Sequence, residues 1–129
     1  MLTLQLQKVL YKKINSFFEI KENMQLKVQN QSSLGVNYSD DNKTCFATLT
    51  NKTFAPDQPD IFNIEIELVG IFSCEGIKID EDKKKAHVRA YELLFPYIQL
   101  MVADLSRKAG LSPLMIEMAQ IDSDAVNDN

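Results

Sequence analysis

The sequence predicts an α+β domain: a four-stranded antiparallel sheet, meander-like in its connections, with C-terminal helices packed on one face. Three observations predict it. The first half alternates apolar and polar residues with period two, most clearly where Phe62, Ile64, Ile66 and Leu68 oppose Asn63, Glu65 and Glu67. The second half switches to helical spacing, with Leu94, Ile98, Met101 and Leu105 on one stripe. Polar or proline-bearing stretches of hairpin length separate the strand-like runs.

The first strand begins with Leu2, Leu4 and Leu6 alternating with Thr3, Gln5 and Gln7. The pattern blurs at Lys8-Val9-Leu10 and resumes through Tyr11 and Ile14, which predicts a bulge or bend. Lys21-Glu22-Asn23 interrupts the run. A second strand over residues 26–38 carries Leu26, Val28, Leu34, Val36 and Tyr38, and Ser39 to Lys43 form a turn of side chains able to bond their own backbone. The third strand covers residues 44–54, with Cys45, Ala47 and Leu49 on one face and threonines on the other. Pro56 and Pro59 make residues 55–60 a loop, because proline cannot donate to a ladder. The fourth strand closes in Gly70-Ile71-Phe72-Ser73-Cys74-Glu75-Gly76-Ile77.

Asp80 is the expected helix cap, with Glu81 and Asp82 suited to the positive end of the helix dipole. Pro96 is expected to break or restart the helix, since it removes a donor and restricts Phe95. Arg107 and Lys108 suit the last turn and Gly110 can cap it, before Leu111-Ser112-Pro113 ends the element. Met115, Ile116 and Met118 form a short apolar segment. Residues 1–121 read as one domain, and the acidic residues 122–129 as a disordered tail.

Composition narrows the function classes. The chain has 129 residues, 45% of them hydrophobic, and a formal net charge of −4. That balance argues against a general nucleic-acid role, which needs a basic face. No run approaches the roughly 20 apolar residues of a membrane helix, and the N-terminal residues lack the pattern of a secretory signal, so the cytosol is the expected compartment. Cys45 and Cys74 lack metal-ligand spacing and read as inert core thiols, and no cofactor or metal is expected. His87, the single histidine, reads as exposed on a charged helix rather than catalytic. Glu65 and Glu67 share a strand face and read as its solvated side. Gly70 and Gly76 do not make a phosphate loop. The chain is therefore not expected to be an enzyme.

What remains is apolar surface. The strand row Phe62–Ile64–Ile66–Leu68 and the helix stripe at Leu94, Ile98, Met101 and Leu105 must cover each other in large part. Any share left open, or shared between subunits, would bind other chains. Met24, Met101, Met115 and Met118 add the adaptable surface of promiscuous binders.

Several stretches together resemble the SecB family of holdase chaperones. Leu4-Gln5-Leu6-Gln7-Lys8-Val9 is similar to that family's first strand. Glu65-Ile66 and Gly70-Ile71-Phe72-Ser73, with Gly76-Ile77 after them, resemble the fourth. Leu94-Phe95-Pro96-Tyr97 resembles the start of the main helix, and Arg107, Pro113-Leu114 and Ile116 resemble its exit. The resemblance implies an ATP-independent holdase assembled as a dimer of dimers, a homo-tetramer with sheets outside and helices between. It implies unfolded polypeptides as clients, held in apolar grooves and partly by strand addition. Phe62, Ile64, Ile66, Leu68, Leu94, Phe95, Tyr97 and Ile98 are its implied client-binding or assembly residues. Glu65 matches an acidic position that contacts the SecA motor.

The departures bear on the motor. Lys13 stands where the export chaperones carry an acidic SecA contact, Asn63 replaces a leucine, and Gln99 replaces an arginine. The crossover around Ile20 to Met24 is short, and the sequence given reaches its end where the family begins a final helix. These changes weaken motor docking more than client holding. Two versions compete: a general export or holding chaperone, and a chaperone dedicated to one client such as an antitoxin. Outside the family, the rivals are a small α+β ligand-binding domain or enzyme and a single-partner adaptor.

Overall fold

The computed structural model describes residues 2–19, 27–58 and 60–118. The expected crossover at Ile20 to Met24, with Met24 itself, Pro59 and the acidic tail lie outside these residues. The alternating runs become β1 (Thr3–Phe18), β2 (Gln29–Tyr38), β3 (Thr44–Phe54) and β4 (Phe62–Glu75), followed by one helix, α1 (Asp80–Lys108). All pairings are antiparallel and the strand order is β1-β4-β3-β2. The meander therefore holds for β2, β3 and β4 only. β1 lies beside β4 rather than β2, which makes a Greek-key arrangement and leaves β1 and β2 as the two edges.

The blurred pattern in β1 resolves into two register shifts, between Leu6 and Lys8 and between Tyr11 and Lys13. Each extra residue moves the following side chains by one position. Leu4, Leu6, Val9, Tyr11, Ile14 and Phe18 thus share the face of their β4 partners Cys74, Phe72, Gly70, Leu68, Ile66 and Phe62. Without those shifts, Lys8 would point to the face that α1 covers.

α1 crosses that face. Ile64, Ile66, Leu68 and Phe72 of β4 and Leu49 of β3 bury against Ala90, Leu94, Phe95 and Ile98 of the helix, all fully enclosed. Gly70 permits the close approach: a Cβ there would sit 2.6 Å from Leu94 Cδ2. The strand row read from the sequence is covered by Leu94 and Ile98 of the helix stripe, while Met101 and Leu105 of the same stripe stay half-buried.

Three local expectations change. Pro96 does not break the helix, which runs unbroken for 29 residues. Pro96 and Glu92 both face solvent, so the carbonyl that loses its partner lies on the wet side. The cap is also different. Ile79 is the N-cap residue, and the carboxylate that serves the first turn is Asp82, whose Oδ2 accepts from the backbone N–H groups of Lys78 (2.9 Å) and Ile79 (3.1 Å). Those bonds hold the Asp82 carboxyl below the ordinary carboxylate range. His87 is buried at 1% exposure, one helical turn from Ala90 and Tyr91 on the sheet side, rather than exposed. The short apolar segment at Met115, Ile116 and Met118 forms neither helix nor strand.

The polar turn forms as expected. Asp41 Oδ1 accepts from Ser39 Oγ (2.7 Å) and the Lys43 N–H (3.0 Å), and Asn42 takes the left-handed conformation at φ 57°.

Candidate functional site

The residues singled out in the sequence divide by position. Phe62, Ile64, Ile66, Leu68, Leu94, Phe95 and Ile98 all lie inside the subunit, at the interface of β4 and α1. Tyr97 alone of this set is half-buried, with its backbone carbonyl accepting from the Tyr11 hydroxyl at 3.2 Å. Glu65 lies on the opposite sheet face, paired with Lys13 at 3.2 Å.

Open apolar surface lies largely elsewhere, at residues of which the sequence marked Tyr97, Met101, Met115 and Met118. α1 reaches β1, where the Tyr11 hydroxyl bonds to it, and leaves the part of β1 around Ile14 open. Tyr11 and Ile14 face the helix side by register yet stay exposed, Ile14 at 44%. Along α1, Leu93, Tyr97, Leu100 and Met101 follow helical spacing on a stripe that is not enclosed, with Leu100 70% exposed. Leu10 and Phe46 add exposed area on the far face, in rows completed by Val69 and Ile71. Both edge strands also present unpaired backbone groups, a template for strand addition.

The second region is the end of α1. Gly110, at φ 85°, reverses the chain, and the Leu111 N–H donates to Ser106 O at 3.1 Å. Residues 112–118 then follow without helix or strand, tied to α1 and β2 by hydrogen bonds. Gln99 Nε2 donates to Ile116 O at 2.9 Å, Asn30 Nδ2 to Glu117 O at 3.5 Å, and the Leu114 N–H to Ser106 Oγ at 2.9 Å. Ile116 is buried while Met115 stays 72% exposed. Asn30 belongs to a polar network in the sheet. Asn51 Nδ2 donates to Ser32 Oγ (2.9 Å) and Asn30 Oδ1 (3.4 Å), and Thr53 Oγ1 donates to Asn51 Oδ1 (2.7 Å). Asn51 and Thr53 are fully buried, so the network satisfies polar groups that would otherwise be costly.

Cys45 and Cys74 are free thiols buried on the helix side of β3 and β4. A hydrogen bond to Cys74, together with burial, pushes the Cys45 thiol up, and the same bond lowers Cys74. Among the described residues no cluster of His, Cys, Asp or Glu is arranged to hold a metal ion. An open cleft of about 780 Å³ lies between the start of β1 and the first turns of α1, lined by Leu2, Leu4, Gly76, Lys78, Asp82, Lys85 and Arg89. No described helix is long and apolar enough to cross a membrane.

Comparison with known proteins places this arrangement. The family model described as preprotein translocase subunit SecB matches residues 3–127. A protein-export protein SecB from Orientia tsutsugamushi strain Boryong is 32% identical over 107 residues, 81% of this chain and 64% of that protein. The chain therefore spans just under two thirds of that relative's length. SecB from Brucella ovis is 36% identical over 70 residues, 54% of this chain and 43% of its own. Among solved structures, a Mycobacterium tuberculosis SecB-like chaperone in complex with a ChAD peptide from the HigA1 antitoxin superposes with a TM-score of 0.75. It covers 90% of both chains at 16% identity, so the fold is shared. With the four-stranded sheet, the long helix and the family match over nearly the whole length, the chain belongs to the SecB family.

Proposed function

We propose that the protein is an ATP-independent holdase that keeps client polypeptides unfolded, working without a catalytic step in the cytosol. The observation that carries this reading is the apolar surface left open around a filled core: Tyr11 and Ile14 at the β1 edge and the Leu93–Tyr97–Leu100 stripe of α1. An unfolded chain buries its aliphatic side chains there at about 25 cal/mol per Å², less the cost of ordering itself. Weak binding at each subunit, repeated across a tetramer of paired dimers, supplies avidity. Phe62, Ile64, Ile66, Leu68, Leu94, Phe95 and Ile98 support that surface from beneath, and Tyr97 contributes to it directly.

The test is refolding of a chemically unfolded, slow-folding protein with and without this chain, in the absence of nucleotide. Stoichiometric arrest or prevented aggregation establishes the holdase. No effect at several-fold excess over unrelated clients removes the general chaperone.

A second reading, a chaperone dedicated to one client such as an antitoxin, has one observation in its favour. Lys13 neutralises Glu65, the carboxylate expected to meet a SecA-like motor, which weakens coupling to export without touching client holding.

A further inference from the structure

We propose that the cleft between the start of β1 and the first turns of α1 binds a small amphiphilic anion: a phosphate or carboxylate head held by Lys78, Lys85 and Arg89, and a short aliphatic tail laid against Leu2 and Leu4. This inference goes beyond the holdase reading and does not rest on it, because none of the residues given to client holding lines the cleft.

Charge carries the first half of the argument. The chain has a formal net charge of −4, yet this cleft gathers three cations around one carboxylate, Asp82. Asp82 is already engaged, since its Oδ2 accepts from the Lys78 and Ile79 backbone N–H groups at 2.9 and 3.1 Å. Lys85 acts on the Asp82 carboxyl through its charge, but among the described residues no carboxylate forms an ion pair with Lys78, Lys85 or Arg89. Lys85 and Arg89 stand one turn apart, on one face of α1. Like charges lining a concavity concentrate the field there, and Arg89 adds the planar fork that suits a phosphate or carboxylate.

Shape and apolar area carry the second half. The cleft holds about 780 Å³, within the roughly 300–1,000 Å³ usual for small-molecule sites. Leu2 and Leu4 are half-buried on its β1 side, where β1 pairs with the end of β4 and Leu4 stands opposite Cys74. Gly76, at φ 85°, turns the chain out of β4 and brings Lys78 to the cleft. A bare inorganic ion would use the cations and leave the leucines wet, whereas an anion with a tail of a few carbons uses both. The concavity lies between two elements of one subunit, so its ligand is a free molecule and not a membrane surface.

The experiment uses the full chain at low ionic strength with inorganic phosphate, butyl phosphate and hexyl phosphate as probes. Calorimetry measures their affinity for the wild type, for Leu2→Ser and for Lys85→Gln combined with Arg89→Gln. Affinity should rise about three-fold for each methylene that becomes buried, so hexyl phosphate should bind more tightly than butyl phosphate, and butyl phosphate more tightly than phosphate. The double variant should lose about ten-fold in affinity for every probe, the loss of charge-assisted hydrogen bonds to the head. Leu2→Ser should bind inorganic phosphate as the wild type does and lose part of the gain from the alkyl chain. In the wild type alone, hexyl phosphate should shift the backbone amide resonances of residues 2–4 and 76–89, an arm that needs no variant to fold. Equal affinity in the wild type and the double variant, shifts confined to other residues, or no heat from any probe at millimolar concentration overturns the inference and leaves the holdase intact. So does capture of the protein by phosphatidylglycerol vesicles without binding of soluble hexyl phosphate.

Discussion

Lys13 Nζ lies 3.2 Å from Glu65 Oε1, tying the β1 edge to β4 across the sheet face away from the helix. Both side chains are partly exposed, so the pair contributes little to stability, about 0–1 kcal/mol. Its consequence is for recognition: a carboxylate already paired is a poorer target for a basic partner. Lys13→Ala should leave the melting temperature nearly unchanged and, where a SecA-like motor docks on this face, raise its affinity as read by calorimetry. Equal affinity in both proteins would take Glu65 out of the docking role.

Gly70 and Leu94 define how closely the helix approaches the sheet. A methyl group at Gly70 would meet Leu94 Cδ2 at 2.6 Å and Phe72 Cε2 at 2.9 Å, both deep in the core. Gly70→Ala should cost about 1–3 kcal/mol through overpacking. Leu94→Ala should cost about 2–5 kcal/mol through the cavity it leaves. Because the added methyl moves into that cavity, the double variant should be more stable than the two losses predict together. Denaturant unfolding of the four proteins measures the coupling, and strict additivity would mean that Gly70 is not the contact that spaces α1.

Asp82 ties acid sensitivity to the helix start. Its carboxylate accepts two backbone N–H groups, so its folded-state pKa lies below the usual 3.8. A depressed pKa gives stability that is complete above the unfolded value and lost as pH falls through the folded one. Thermal melts of the wild type and Asp82→Ala should therefore differ above about pH 5 and converge in stronger acid. A gap that stays constant down to the acid limit would assign the difference to helix propensity and not to the carboxylate.

These residues also show which parts of the structure the sequence made legible. Strand alternation and helical spacing located β3, β4 and α1, because those elements bury one face each and burial imposes periodicity. The order of the strands was not legible. Period-two patterns say which face is apolar, and they are silent on which neighbour pairs, so β1 beside β4 needed the structure. The N-cap lies one residue before the expected Asp80, at Ile79, and Asp80, Glu81 and Asp82 are equivalent in type, so only backbone geometry selects Asp82 as the carboxylate that serves the first turn. Pro96 was read as a break on local sterics alone, whereas the packing of Leu94, Phe95 and Ile98 carries the helix through it. Gln99 was visible as a departure from the family pattern, but its bond to Ile116 spans 17 residues and leaves no local signal.

The open stripe of α1 gives the most direct test of assembly. Leu100 is 70% exposed and points away from the core residues Ile98 and Val102. Substituting it should alter the isolated subunit by no more than about 0.5 kcal/mol. A mutation at buried Ile64 or Ile66 would instead unfold the subunit and confound every readout. If helices lie between paired dimers, Leu100→Glu places a charge in an apolar contact and should lower the mass seen by light scattering. Its circular dichroism should stay that of the wild type, since the subunit fold does not depend on residue 100. An unchanged mass would place this face of α1 in solvent, outside any contact between subunits.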